Sequence, residues 1–220
     1  MEKRAVIQEL SLLLKDSKLR GRVLVSRGDD ELERLAGWVC RQEQALENAR
    51  DNDLKNIIDA CSLCPGVVER KYGVGTGING VMVILNSPQL VNTIERKMLK
   101  KESVEMLKKI IQAANLSFGE CYITNMVKCD ISDALVKPSQ IVSNCEHILN
   151  REIEVIKPRV VIVFGDILPL QNTIKNSTEI IWYNIEHPIT LIKNPELKRA
   201  AWSTIKLVMV KLKELNMQQV

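Results

Sequence analysis

The stretch VMVILNSPQL, residues 81–90, decides the fold. Five consecutive apolar residues, Val81 to Leu85, stop abruptly at Asn86-Ser87-Pro88. A run this short, bounded by turn residues, reads as a central strand buried on both faces. In open α/β sheets ligands bind beyond the carboxyl ends of such strands. Asn86 and its neighbours are therefore the first place to look for a site.

Working outward, CYITNMV (121–127), RVVIVFG (159–165) and the IIWYNI part of STEIIWYNIEHP read as further strands. Between and after them, ERKMLKKESVEMLKKIIQAANL, PSQIVSNCEHILNREIEVI and ELKRAAWSTIKLVMVKLKELN carry helix-period apolar positions. Strands alternating with helices imply a three-layer α/β/α sandwich with a central, mostly parallel sheet over residues 59–220. Residues 1–58 have a different texture. SLLLKDSKLR, DDELERLAGWVCRQEQALENA and DNDLKNIIDA read as an N-terminal extension of amphipathic helices. A glycine-rich segment, KYGVGTGING (71–80), leads into the first strand of the sheet.

The chain has 220 residues, 45% hydrophobic and 26% charged, as a globular protein should. Its first residues, MEKRAVIQELSLLLKDSK, have too short an apolar run and too many charges for a signal peptide or anchor. No segment reaches the roughly 18 apolar residues of a membrane span. A cytoplasmic protein with no membrane partner, monomeric, is expected. A net charge of +4 permits a nucleic-acid partner without demanding one.

Six cysteines stand at 40, 61, 64, 121, 129 and 145. Without an export signal a disulfide framework is not expected. Cys61 and Cys64 form a C-x2-C pair, and Cys129 and Cys145 are separated by 15 residues. Four thiolates, two from one short turn, suit tetrahedral zinc or an iron–sulfur cluster. The competing reading is an accidental pair and buried small hydrophobes. For Cys40 and Cys121 the core reading is preferred.

This cysteine pattern resembles that of the family 4 uracil-DNA glycosylases, the iron–sulfur members of their superfamily. The resemblance extends over roughly residues 58–212. It includes Arg70 after the C-x2-C pair, the run YITNMVKC (122–129), IKPRVVIVFG, and His187-Pro188 followed by LIKNPELKRAAW. It implies a 4Fe-4S cluster on Cys61, Cys64, Cys129 and Cys145, structural in role, with zinc as the alternative. It also implies DNA as partner and excision of uracil by hydrolysis of its N-glycosidic bond. Asn125 would read the uracil edge, since an amide offers both a donor and an acceptor. His187 would stabilise negative charge growing on uracil O2. After His187-Pro188 a loop would press into the minor groove, with Thr190, Leu191 and Ile192 as wedge candidates. Lys193, Lys198 and Arg199 would meet phosphates. His147 is read as a surface group.

Against the family's first motif, G-E-x-P-G, the opening stretch departs. Leu85, Asn86 and Gln89 replace the first glycine, the carboxylate and the last glycine, and only Pro88 remains. The family's base-stacking phenylalanine falls on Leu99, within a segment rich in Arg96, Lys97, Lys100, Lys101, Lys108 and Lys109. Asn86 can orient a water but cannot act as a base. Two functions follow: a glycosylase weakened at its first motif, or a non-catalytic iron–sulfur protein that binds DNA or a protein, with residues 1–58 recruiting a partner.

Overall fold

The computed structural model describes residues 50–86, 98–131 and 136–217. Pro88, Cys40, Arg96, Lys97 and the helices expected within residues 1–49 lie outside the described residues. The chain divides into two compact units, Met1–Asp53 and Leu54–Val220. The second begins in a helical segment that continues to residue 60, part of the stretch expected to be helical.

Four strands form the central sheet: β2 (Val81–Leu85), β3 (Tyr122–Asn125), β5 (Val160–Phe164) and β6 (Ile181–Ile185). Their spatial order is β3-β2-β5-β6 and every pairing is parallel. Leu85 pairs with both Asn125 and Phe164, and Phe164 with Ile185, so all four strands end in register on one edge. Burial on both faces explains why the two central strands, β2 and β5, are unbroken apolar runs.

Alternation along the strands separates two cores. Val81, Val83, Ile123, Ile162 and Phe164 face α1 (Lys100–Ala113), α4 (Pro188–Lys193) and α5 (Lys198–Met217) through Leu107, Ile111, Leu191, Ile205 and Val208. Met82, Ile84, Tyr122, Val161 and Val163 face α2 (Pro138–Ile156) through Leu149, Ile153 and Ile156, together with Leu54. Helices thus cover both faces, as the alternating pattern implies. A short α3 (Gln171–Asn176) sits between β5 and β6.

Two further features position the rest. β1 (Val67–Arg70) pairs antiparallel with β4 (Cys129–Ile131), setting Arg70 opposite Cys129. The glycine-rich segment lies along the outer edge of β3. Val74 and Ile123 exchange both backbone hydrogen bonds, each 2.8 Å. Among the described residues no helix is long and apolar enough to cross a membrane.

Candidate active site and thiolate cluster

The carboxyl edge of the sheet collects the polar residues singled out by the sequence. Asn86 follows β2 and its backbone N–H donates to Phe164 O at 2.8 Å, carrying the ladder one residue past the strand. Its side-chain Nδ2 donates to Asp166 O at 2.8 Å. That bond fixes the amide with Oδ1 as its unengaged end among the described residues. Beside it, Gly165 has φ +111°, and a Cβ there would stand 2.0 Å from Asn86 O. The end of β5 is therefore built without a side chain so that the β2 extension can close on it. Asn184 ties the same turn from β6, donating to Val163 O at 3.2 Å and Gly165 O at 2.6 Å.

Asn125 ends β3 directly beside Leu85. Thr124 turns towards α2, where it bonds Glu152, so alternation puts the Asn125 side chain on the opposite face, that of α1, α4 and α5. The Asn125 amide has no hydrogen bond to a described residue. A cavity of about 340 Å³ near this edge, lined by Met126, Val142, Leu149, Leu170 and Ser143, lies on the α2 face and is not shared with Asn125.

His187 follows β6 and is the N-cap of α4, with Pro188 at the first helical position. Its Nδ1 accepts from Ile189 N–H at 3.2 Å. Only 4% of the residue is exposed, and burial lowers the imidazole from 6.5 to about 4. The ring is therefore neutral at physiological pH. With Nδ1 occupied as an acceptor, its single N–H is on Nε2. β3 and β6 are three strand spacings apart, about 14 Å. No hydrogen bond joins Asn86, Asn125 and His187, which share an edge and not a network.

Downstream of His187 the chain is helical, not the loop expected. The histidine cap and Pro188 at the first position start a helix there. Leu191, expected as a wedge, is 1% exposed and packed in the core beneath α4. Thr190 and Ile192 are half-buried, while Lys193, Lys198 and Arg199 are exposed. Leu99 caps α1, accepting from Ser103 N–H at 2.9 Å, and is half-buried. α1 packs against α4. His147 is exposed, as expected of a surface group. Cys121 is fully buried, and its sulfur accepts from Asn79 Nδ2 at 3.2 Å.

The remaining cysteines gather elsewhere. Cys61 follows the helical segment that ends at residue 60, Cys64 lies in the next turn, Cys129 starts β4, and Cys145 faces inward from α2. All four thiols are free. Among the described residues no three His, Cys, Asp or Glu side chains are arranged around one point as a single metal ion needs. Burial raises the Cys129 thiol, the nearby Arg70 guanidinium lowers it, and the charges of Cys61 and Cys64 raise it. Burial also raises Cys145, against the backbone N–H of Lys128, with Cys129 and Cys64 adding to the rise. The four sulfurs thus lie within one another's field without converging on a point. Four cysteine thiols are the soft donor set that an iron–sulfur cluster takes.

N–H donors are aimed at three of these sulfurs. Arg70 Nη1 lies 3.9 Å from Cys129 Sγ, Asn144 Nδ2 is 3.3 Å from Cys64 Sγ, and Lys128 N is 3.4 Å from Cys145 Sγ. Sequence reading assigned no role to Asn144 or to Lys128, although Lys128 stands inside the YITNMVKC run.

Lys128 is itself an anomaly: a lysine with 0% exposure. Its Nζ donates to Thr124 Oγ1 at 2.7 Å and to Glu152 Oε2 at 2.5 Å. Glu152, also at 0% exposure, accepts at Oε1 from Tyr122 OH at 3.1 Å and Thr124 Oγ1 at 3.0 Å. Desolvation pulls the lysine down from its usual value, and the Glu152 charge pulls it back up. The pair clamps the loop 125–128 between the base of β4 and α2.

The model of the uracil DNA glycosylase superfamily matches residues 80–206, more than half of the chain and the whole of the central sheet. No curated protein gives a significant match. With a parallel sheet of this order, helices on both faces and polar residues on its carboxyl edge, the chain belongs to the uracil DNA glycosylase superfamily.

Proposed function

We propose that this chain binds DNA, extrudes a uracil from the stack and hydrolyses its N-glycosidic bond slowly. The observation that carries this reading is His187. A buried neutral imidazole, with Nδ1 committed to Ile189 N–H, presents an Nε2–H donor. Such a group can stabilise negative charge developing on uracil O2 without first losing a proton. Its neutrality comes from burial and does not depend on the ambient pH near 7.

Asn125, at the end of β3, supplies an amide unengaged among the described residues and able to pair with uracil O4 and N3–H at once. Asn86 is oriented by Asp166 O so that its Oδ1 faces no donor among the described residues, and that oxygen can accept a hydrogen bond from the attacking water. It cannot take the proton. A missing preorganised group of this kind costs about two to three decades of rate. Leu99 at the aromatic's place forfeits about 1–3 kcal/mol of base stacking, and Pro88 is the residue retained from the first motif. Thr190, Lys193, Lys198 and Arg199 form the face for the DNA backbone, with affinity falling as salt rises.

The four cysteines Cys61, Cys64, Cys129 and Cys145 would hold a 4Fe-4S cluster. When bound, the cluster is structural, tying the turn at 61–64 to β4 and α2. The soft thiolate set and the N–H donors aimed at three of the sulfurs support this assignment.

A second reading, DNA binding without catalysis, draws on the same Asn86, which replaces a carboxylate. Single-turnover cleavage of a uracil-containing oligonucleotide separates the two. Product that disappears in His187→Ala supports the enzyme. Salt-sensitive DNA binding with no product supports the second reading.

A further inference from the structure

We infer that Arg70 is the positioning residue of the thiolate site, tying two ligand-bearing segments to the helix that precedes them and lending its charge to the Cys129 sulfur. The inference rests on the cluster reading given above and goes beyond it by assigning what controls the cluster's hold and potential.

Arg70 is the last residue of β1, and the antiparallel register sets it opposite Cys129. From there its guanidinium reaches three places. Nη1 donates to Ile58 O at 2.6 Å and lies 3.9 Å from Cys129 Sγ, while Nη2 donates to Cys61 O at 2.9 Å. Ile58 ends the apolar face of the helical segment and is 1% exposed, so that anchor is rigid. The planar fork thus connects the helix that precedes the C-x2-C turn, the first cysteine of that turn, and the third cysteine on β4, the partner strand of β1. A lysine could supply the charge but not three directed donors from one plane.

The other donors complete an asymmetric shell. Asn144 bridges Leu63 O at 3.0 Å and Cys64 Sγ at 3.3 Å, one residue before Cys145 on α2. Lys128 N–H serves Cys145. Cys61 is the sulfur without an N–H donor among the described residues, and its carbonyl is the atom that Arg70 holds. Hydrogen bonds and positive charge beside cluster sulfurs stabilise the more negative, reduced form and raise the potential. Of the three donors, only Arg70 carries a charge.

The test uses the full chain purified without oxygen, with iron and acid-labile sulfide measured first. Wild type lacking both overturns the cluster reading itself. With a loaded wild type, two properties are compared in Arg70→Gln and Arg70→Lys: the midpoint potential, and the rate of iron release to a chelator. Arg70→Gln is expected to move the potential to more negative values and to speed iron release about tenfold or more, as loss of a charge-assisted contact implies. Arg70→Lys should keep the potential near wild type while also speeding release, because the charge stays and the fork is lost. Asn144→Leu provides an independent arm on the surface of α2, with faster release expected. Wild-type release rates in all three variants would overturn the inference. So would an unchanged potential in Arg70→Gln, a readout that a purely structural arginine would leave still.

Discussion

Replacing Lys128 with methionine would expose the energetics on which the site is built. Met fills much of the space of the lysine stem but removes the ammonium that bonds Thr124 and Glu152. Glu152 would then be a carboxylate at 0% exposure with two neutral donors, Tyr122 and Thr124, and no counter-charge. Breaking a buried pair from one side costs about 3–5 kcal/mol. Against a total stability of about 5–15 kcal/mol, that is roughly a fifth or more of what holds such a domain folded. Removing both charges in Lys128→Met/Glu152→Leu should cost less than the Lys128→Met single variant, because no uncompensated charge is left behind. Guanidinium unfolding followed by circular dichroism, with the denaturant slope held constant across variants, measures this. A Lys128→Met loss below about 1 kcal/mol, or a double variant worse than the sum of the singles, would refute the reasoning.

Three other outcomes follow from the geometry. His187 has a folded value of about 4 and an unfolded value near 6.5, so below pH 6.5 the unfolded chain binds a proton that the folded one refuses. Its contribution to stability is full above pH 6.5 and is lost as pH falls towards 4, by about 3 kcal/mol at most. His187→Asn, which can still cap α4, should flatten that slope in unfolding titrations. A Cβ at Gly165 would meet Asn86 O at φ +111°. Gly165→Ala should therefore cost about 3 kcal/mol of stability and disturb the Asn86–Asp166 contact, read by thermal unfolding. Asn86→Asp returns a carboxylate to the end of β2, and single-turnover uracil excision should rise by about two decades or more. An unchanged rate would show that the first motif is not what limits the reaction.

The layers of this molecule were legible because its two central strands are buried on both faces. VMVIL, YITN, VVIVF and IWYNI need no partner information to be recognised, and their turn residues mark where they end. The strand-end positions of Asn86 and Asn125 follow from the same runs. What escaped is tertiary. Glu152 sits at the helical spacing of Leu149, Ile153 and Ile156, on the apolar face of α2, yet a charged residue is read as exposed until its partner is known. That partner, Lys128, is 24 residues away and belongs to another element. The helix after His187 could have been read from the sequence, since a capping side chain followed by proline marks a helix start. With the helix formed, Leu191 packs into the core, where a wedge candidate has no access to a base step.

The pairing of Val74 with Ile123 has one more consequence. β3 is an edge strand, and an edge strand offers its open backbone groups to any other chain that can extend beside it. Here the chain covers its own margin, and it can lie close enough because Gly75, at φ +89°, would otherwise drive a Cβ to 2.0 Å from Cys121 O. Gly75→Val should lift this cover. The damage should appear as self-association on storage, with β-rich aggregates growing from the bared strand, measured by light scattering and thioflavin binding against wild type.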